Sequence, residues 1–314
     1  MPTAAANEPL SFSVSPLAGT IWGQGEEILF KYRDRDQRIS ELLWDLKPLF
    51  YVGMAADVGP SDPFRGSGFS AAASAKFGVP MRTGIMEDRD WQYMDNDRLT
   101  NYSQHDANTQ SAVLTDVSLG YSFMLSSFLA LRFFGEFSYM HFNWMAEDGF
   151  IQYLPTDDNG NILPGQTWTP NIPKIPIYGP GIRYIQDWYI LTPGLSLSAR
   201  FSEFLGAGIN IRYTPLVFGN DRDDHLFGMR IFSGEFRYGQ YLDGGANLTL
   251  SPSDRLDFSV LGSFRHISGM RGENTVLIGG IGSNIFTGIS FINPFDAGAG
   301  YWGLDIGLKA RMRF

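Results

Sequence analysis

The sequence contains no cysteine, and only 18% of its 314 residues are charged. The absence of cysteine excludes disulfide scaffolds, thiol nucleophiles and sites with cysteine ligands such as iron–sulfur clusters. Basic residues are also few, because 24 Lys and Arg stand against 33 Asp and Glu, a net charge of −9. This balance argues against a nucleic-acid-binding protein that relies on a broad basic surface.

Long apolar runs are missing as well. No stretch of 18 or more uninterrupted apolar residues occurs, so no transmembrane helix is predicted. Residues 1–10 (MPTAAANEPL) have neither a basic region nor an apolar core, so we expect a mature exported chain rather than an attached signal peptide. Aromatic residues make up 15% of the chain and Gly contributes 36 residues. This composition is typical of a large β protein with much exposed apolar surface.

Alternation of apolar with small or charged residues is the clearest pattern that is present. It runs without a break through residues 301–314 and recurs at 113–123 and 256–264. A period of two over such a length predicts a strand with one apolar and one wet face. Strands of soluble sandwiches average only about 5–6 residues. The longer pattern therefore favours a membrane barrel.

The breaks between these segments are of two kinds that alternate strictly along the chain. Short polar breaks fall at 59–66, 125–127, 200–203 and 251–255. Longer charged or Pro/Gly-rich breaks fall at 33–38, 87–110, 147–178, 220–225 and 271–296. These connections predict an all-β fold, a ten-stranded antiparallel transmembrane β-barrel with its long extracellular loops at one rim. We interpret residues 1–314 as a single domain.

Acidic residues concentrate in the long connections of that barrel. They are Glu87, Asp88, Asp90, Asp95, Asp97, Asp221, Asp223 and Asp224, the last of which precedes His225. Residues two apart in a strand share a face, so Asp88 pairs with Asp90, and Asp223 pairs with His225. An imidazole held by a carboxylate can take a proton from water while two further carboxylates position that water. The simpler interpretation is a solvated acidic rim with a loop histidine.

Several separated segments resemble the omptins, the ten-stranded outer-membrane endopeptidases of Gram-negative bacteria. The segments are GTIWG at 19–23, MEDRDW at 86–91, LTNYSQH at 99–105, DRDDH at 221–225 and the terminal strand. The resemblance implies that Asp223 and His225 form a dyad that activates water. It also implies that Asp88 and Asp90 form an opposing couple that helps to hold the water and the scissile carbonyl. Omptins need no metal and no organic cofactor.

The same resemblance implies a site for the substrate residue that precedes the scissile bond. Omptins cleave beside basic residues of polypeptides, and a Glu with an Asp holds the basic side chain. The matching positions are Glu26 and Asp221, although alternation in residues 25–31 also allows the adjacent Glu27. The expected location is the bacterial outer membrane, with the active site at the extracellular rim.

Two departures from the family pattern stand out. Asn101 occupies the position four residues before His105 where omptins often have an acidic residue, so a preference for a basic residue after the cut does not carry over. Omptins also present outward Arg and Lys to lipopolysaccharide phosphates, whereas residues 135–144 contain neither, and Asp187 stands at another expected basic position. We therefore expect an altered or absent lipopolysaccharide site.

Three alternatives to the protease remain at this point. One is a non-catalytic omptin-like barrel that acts as an adhesin or receptor. Another is a solute channel, although inward charges such as Asp116, Arg132, Glu136, Asp257 and Arg265 are expected to block a narrow ten-stranded lumen. The last is a cation site at the two Asp-x-Asp pairs, which lack the glycine and glutamate of an EF-hand loop. The intact four catalytic positions favour the enzyme.

Overall fold

The computed structural model describes residues 9–31, 37–92, 98–158, 162–163, 165–282, 285–292 and 295–314. The strands are β1 (Leu10–Phe30), β2 (Arg38–Pro60), β3 (Gly68–Gly78), β4 (Met81–Asp90), β5 (Asn101–Ser126), β6 (Leu129–Tyr153), β7 (Ile175–Pro176), β8 (Pro180–Arg200), β9 (Leu205–His225), β10 (Arg230–Ser253), β11 (Leu256–Gly282), β12 (Ile285–Ile292) and β13 (Ala297–Arg313). Within this part of the chain, no helix is long and apolar enough to cross a membrane.

The strands form a closed antiparallel ring with ten positions, so that the barrel is ten-stranded. β3 and β4 are two consecutive pieces of one barrel strand, because both pair with β2 on one side and with β5 on the other. β7 and β12 are short additions to β6 and β11. β1 pairs with both β2 and β13, which closes the ring. The predicted ten-stranded barrel is therefore confirmed.

The strands are longer than predicted at the end of the barrel that carries the long loops. Residues 87–90 and 101–110 belong to β4 and β5, and 220–225 to β9. The loop bounds predicted there, and likewise at 147–153 and 271–282, are wrong. Above the membrane both faces of a strand meet water or polar groups, so charged residues hide the alternation without ending the strand. Residues 33–36, Asp95 and Asp97 lie outside the described residues.

Large apolar side chains cover the outer face around the half of the barrel nearer the short turns. One exposed example from each of the ten barrel strands is given by Trp22, Phe50, Phe77, Leu119, Phe137, Leu191, Ile211, Leu248, Val260 and Leu308. Outer-membrane barrels present such a band, about 25 Å tall, to the lipid. The strands continue beyond the band, since β5, β6 and β11 have 26, 25 and 27 residues and a spanning strand needs only about 9–11.

Ion pairs fill the interior of the barrel inside this apolar band. Arg265 contacts Asp116 at 3.3 Å and Asp243 at 3.0 Å, and Arg212 contacts Asp243 at 2.8 Å and Glu136 at 3.2 Å. Above these pairs lies a layer of buried aromatic rings that includes Trp44, Phe142, Trp144, Tyr184 and Tyr301. These two layers obstruct the lumen, as expected from the inward-facing charges. On the side of the long loops the barrel opens into a cleft, and the two layers form the floor of that cleft.

Candidate active site

A bulge in β9 aims the Asp–His pair into the barrel. Below Pro215 the even-numbered residues Arg212 and Thr214 face inward, whereas above it the odd-numbered ones do, beginning with the fully buried Val217. The pairing of β9 with β10 shifts at the same level. One extra residue in one strand of a ladder reverses which face each later side chain occupies. Asp221, Asp223 and His225 consequently all point into the cleft.

A second bulge does the same for the carboxylates on β4. Thr83 faces inward below it, and Asp88 and Asp90 face inward above it. The irregular residue is Gly84, whose φ of 134° is a conformation that side-chain-bearing residues rarely adopt. A Cβ at Gly84 would also meet the Asp45 side chain at 2.7 Å. Glycine is therefore required where β4 turns its two aspartates toward the cleft.

Asp223 and His225 form a direct hydrogen bond. The His225 Nε2–H donates to Asp223 Oδ2 over 2.6 Å, and the Asp223 side chain is 3% exposed whereas that of His225 is 36% exposed. The Phe232 ring meets the imidazole edge-on at 5.2 Å between centroids. Burial disfavours the imidazolium, but the carboxylates of Asp223, Asp88 and Asp90 outweigh burial and raise the pKa of His225 to about 9.

Asp88 and Asp90 face this dyad from β4. Burial is the main cause that raises the pKa of both carboxyls, and their mutual repulsion adds to it for Asp88. Ser103 donates to Asp88, and Ser103 in turn contacts His105 Nε2 at 3.1 Å. Asn101 Nδ2 donates to Asp90 over 3.4 Å. The couple is thus oriented by polar side chains of β5, and it holds protons at a higher pH than ordinary aspartates.

Asp221 lies deeper in the cleft, one inward position before Asp223. Its Oδ2 accepts a hydrogen bond from the Tyr184 hydroxyl at 2.9 Å, and its Oδ1 accepts one from the Gly234 amide at 2.7 Å. Burial raises the pKa of Asp221 to about 7, although both hydrogen bonds favour the carboxylate. Asp221 therefore changes charge in the neutral range.

Glu27, and not Glu26, shares this part of the cleft. β1 alternates so that Gly25 and Glu27 point inward, where a Cβ on Gly25 would touch the Trp144 ring. Burial and the charges of Asp223, Asp221 and Asp88 raise the pKa of Glu27 well above its usual value.

Glu26 points to the outer face of the wall. Its carboxylate lies over Gly300 and is 3.6 Å from the Arg38 guanidinium. The alternation in residues 25–31 allows either Glu26 or Glu27 to face inward. In β1 the odd-numbered residues Gly25 and Glu27 do so, and Glu26 therefore points away from the cleft. The prediction of Glu26 as a substrate-binding residue is corrected accordingly.

Three buried carboxyl oxygens of the cleft receive no hydrogen bond from a donor among the described residues, namely Glu27 Oε2, Asp88 Oδ1 and Asp223 Oδ1. Glu27 and Asp223 are close enough to share a hydrogen bond when Glu27 is protonated, and this contributes to the raised pKa of Glu27. Buried acceptors without donors are unfavourable, so a cation or a donor that enters the cleft is strongly favoured. In the described part of the chain, no group of three or more potential metal ligands has the geometry to hold a metal ion.

Sequence reasoning missed the residues that support the carboxylates. Tyr184 and Ser103 bond to Asp221 and Asp88, and Gln186 Nε2 donates to the Tyr184 hydroxyl over 3.0 Å and to the Glu26 carbonyl over 2.9 Å. These contacts join strands far apart in the sequence. Tyr184 and Gln186 are two residues apart on β8 and so share one face of the strand. This spacing is the sequence signal by which they could have been found.

A family model and one solved structure agree with this architecture. The family model of the omptins matches residues 8–288. The solved structure of the outer membrane protease OmpT from Escherichia coli is 18% identical and covers 97% of both chains, with a TM-score of 0.79. The toluene transporter TodX from Pseudomonas putida is 10% identical, covering 97% of this chain and 90% of its own, with a TM-score of 0.32. No curated protein matches the sequence. Because the omptin model extends over most of the chain, the protein belongs to the omptin family of outer-membrane proteases.

Proposed function

We propose that this protein is an endopeptidase in which the Asp223–His225 pair activates a water molecule to cleave polypeptides next to basic residues. The observation that carries the proposal is the 2.6 Å bond between a buried aspartate and a partly exposed histidine, opposite a second carboxylate pair. Fold similarity alone does not establish activity, since one fold supports many functions. The chemistry of these four side chains does support it.

The bond to Asp223 determines which ring nitrogen of His225 reacts. With Nε2–H directed at Asp223, Nδ1 is the nitrogen that takes a proton from water. The water oxygen then attacks the scissile carbonyl carbon, and the imidazolium returns that proton to the departing amine. Asp88 retains its proton to a higher pH than usual, so its carboxyl can donate a hydrogen bond to the oxyanion that forms.

The basic side chain of the substrate would be held by Glu27 and Asp221. Both carboxyls are buried next to the dyad, Glu27 Oε2 receives no hydrogen bond from the described residues, and a guanidinium can donate to both carboxyls. The positive charge also opposes the carboxylate field that keeps His225 protonated. Substrate binding would therefore lower the pKa of His225 and prepare it to act as a base.

The direct test is cleavage of quenched peptides by refolded protein. A peptide with a central arginine should be cut beside that residue, whereas the same peptide with citrulline, a neutral isostere, should be cut poorly. If folded protein cuts no member of a broad peptide library, the protease proposal fails. The acidic cleft would then be a binding surface of an adhesin or receptor.

Affinity for basic substrates should depend on pH through Asp221. The carboxyl has a pKa of about 7 when the cleft is free, and only its ionised form attracts a cation. We expect 1/KM for an arginine peptide to rise about tenfold between about pH 6 and about pH 8 and then to level off. The measurement is KM across that range, with Asp221→Asn as the control. A citrulline peptide with the same pH dependence of KM would contradict this origin.

We infer that the cleft opens at the extracellular rim of an outer-membrane barrel formed by residues 1–314 as a single domain. The apolar band surrounds the half with the short turns, and the acidic cleft lies beyond the band at the other end. The pairing of β1 with β13, which joins the two ends of the chain, supports one domain.

Catalysis should not require lipopolysaccharide. At the upper edge of the apolar band, Asp187 faces outward and accepts hydrogen bonds from the Tyr139 hydroxyl at 2.6 Å and from His141 Nδ1 at 2.9 Å. A carboxylate there repels lipid phosphates. We expect added lipopolysaccharide to change kcat/KM less than about twofold, and we expect Asp187→Arg to increase binding of this lipid. A strict lipid requirement in the wild-type protein would contradict this proposal.

A further inference from the structure

A cleft with a different chemical character adjoins the acidic site. It encloses about 460 Å³ at the mouth of the barrel and includes Asp90 in its wall. Most of the wall is apolar, and it is formed by Leu29, Ile39, Phe232, Val276 and Ile278. Phe232 also contacts His225, so the cleft begins beside the dyad. This size suits one large apolar side chain and part of its neighbour.

Arg230 places a positive charge in the wall of this cleft. It is the first residue of β10, lies opposite His225 in the strand pairing, and shares the inward face with Phe232. Its side chain is exposed, and no carboxylate of the described residues lies within ion-pair distance of its guanidinium. This cleft therefore has a cation in its wall as well as the Asp90 carboxyl, whereas Glu27 and Asp221 bring two carboxyls together at the other end of the site.

We propose that this cleft binds an apolar side chain of the substrate close to the scissile bond and that Arg230 excludes a basic residue from that position. The inference rests on the proposed protease function and refines its substrate class. An apolar side chain gains by leaving water for Phe232, Val276 and Ile278. A lysine or arginine at the same position would instead approach the Arg230 guanidinium, which has no carboxylate partner among the described residues, and two like charges at contact distance repel.

The substrate class that follows is a polypeptide with one basic residue at the cut and an apolar residue near it. A run of consecutive basic residues would satisfy Glu27 and Asp221 but not the cleft beside Arg230. The two ends of the site therefore select by opposite rules, and each can be altered by mutation without the other.

The test is a peptide library with one fixed arginine and a single varied position on either side of it. For wild-type protein we expect one flanking position to favour leucine over lysine about tenfold or more in kcat/KM. Arg230→Glu should remove or reverse this preference, and Arg230→Gln should reduce it. Ile278→Trp, which narrows the cleft at an exposed rim position, should shift the preference from leucine toward alanine.

Arg237→Glu is the matched control. Arg237 lies on the same strand with its side chain 69% exposed, and it contacts Glu235 on the outer face. The control should keep the wild-type preference at every position. If wild-type protein selects arginine at the cut but Arg230→Glu leaves the flanking preference unchanged, this inference is overturned and the protease proposal stands. If wild-type protein cleaves no peptide at all, the protease proposal fails and this inference fails with it.

Discussion

Replacing His225 by alanine should lower kcat by about 10²–10⁴-fold, the contribution usual for a general base. Asp223→Asn should have an effect of similar size, because a neutral amide does not stabilise the imidazolium and its NH2 group can donate to Nε2, which favours the wrong tautomer of His225. The measurement is single-turnover cleavage of an arginine peptide by refolded protein. Because the two residues act as a pair, the double variant should be little slower than either single variant.

His141→Ala is the control for this experiment. His141 also bonds to an aspartate, Asp187, at 2.9 Å, but the pair lies on the outer wall. Its loss should leave kcat within about twofold of wild type, as is usual for surface positions. Heat-dependent migration on a gel would verify that each variant forms a barrel. If folded His225→Ala retained full activity, another group would have to activate the water.

The second large effect concerns the basic side chain of the substrate. Glu27→Gln combined with Asp221→Asn should reduce kcat/KM for an arginine peptide by at least about 30-fold, because it removes the partners of a desolvated charge. The same variant should cleave the citrulline peptide as well as wild-type protein does, or better. The arginine-to-citrulline ratio is therefore the informative quantity, since it separates lost charge recognition from general loss of activity.

Glu26→Gln is a matched control that the chain itself provides. Glu26 is adjacent to Glu27 and carries the same charge, but it lies over Gly300 on the outer face. We expect Glu26→Gln to keep the wild-type ratio of arginine to citrulline cleavage. A loss of arginine preference in Glu26→Gln, with Glu27→Gln unaffected, would show that the phase of β1 is reversed.

The fold could be predicted from the sequence because lipid imposes a strict rule on a strand. Every second residue of a membrane-spanning strand faces the bilayer and must be apolar. This alternation made residues 301–314 recognisable as a strand and allowed the barrel strands to be counted. The bounds of the strands above the membrane could not be predicted in the same way. There the residues 87–90 and 220–225 are held by pairing with neighbouring strands, and pairing leaves little trace in one sequence.

The candidate site was predictable to the extent that spacing determines it. Asp88 with Asp90, and Asp223 with His225, are two residues apart and had to share a face in any strand. The choice between Glu26 and Glu27 depended on the absolute phase of β1. Tyr184 and Gln186 contribute through contacts between distant strands. Neither the phase nor these contacts can be calculated from local sequence.

The bulge at Pro215 also determines how the chain tolerates changes in length. The bulge determines which face of β9 each later side chain occupies. Loss of that one residue would therefore turn Asp221, Asp223 and His225 to the outside together. Added residues in the turn at 226–229 would leave that phase intact. A change of one residue between Pro215 and His225 would therefore reverse the direction of all three side chains, whereas a change in the length of the turn would not. Only the outward-facing side chains of β9 can vary without affecting the candidate site.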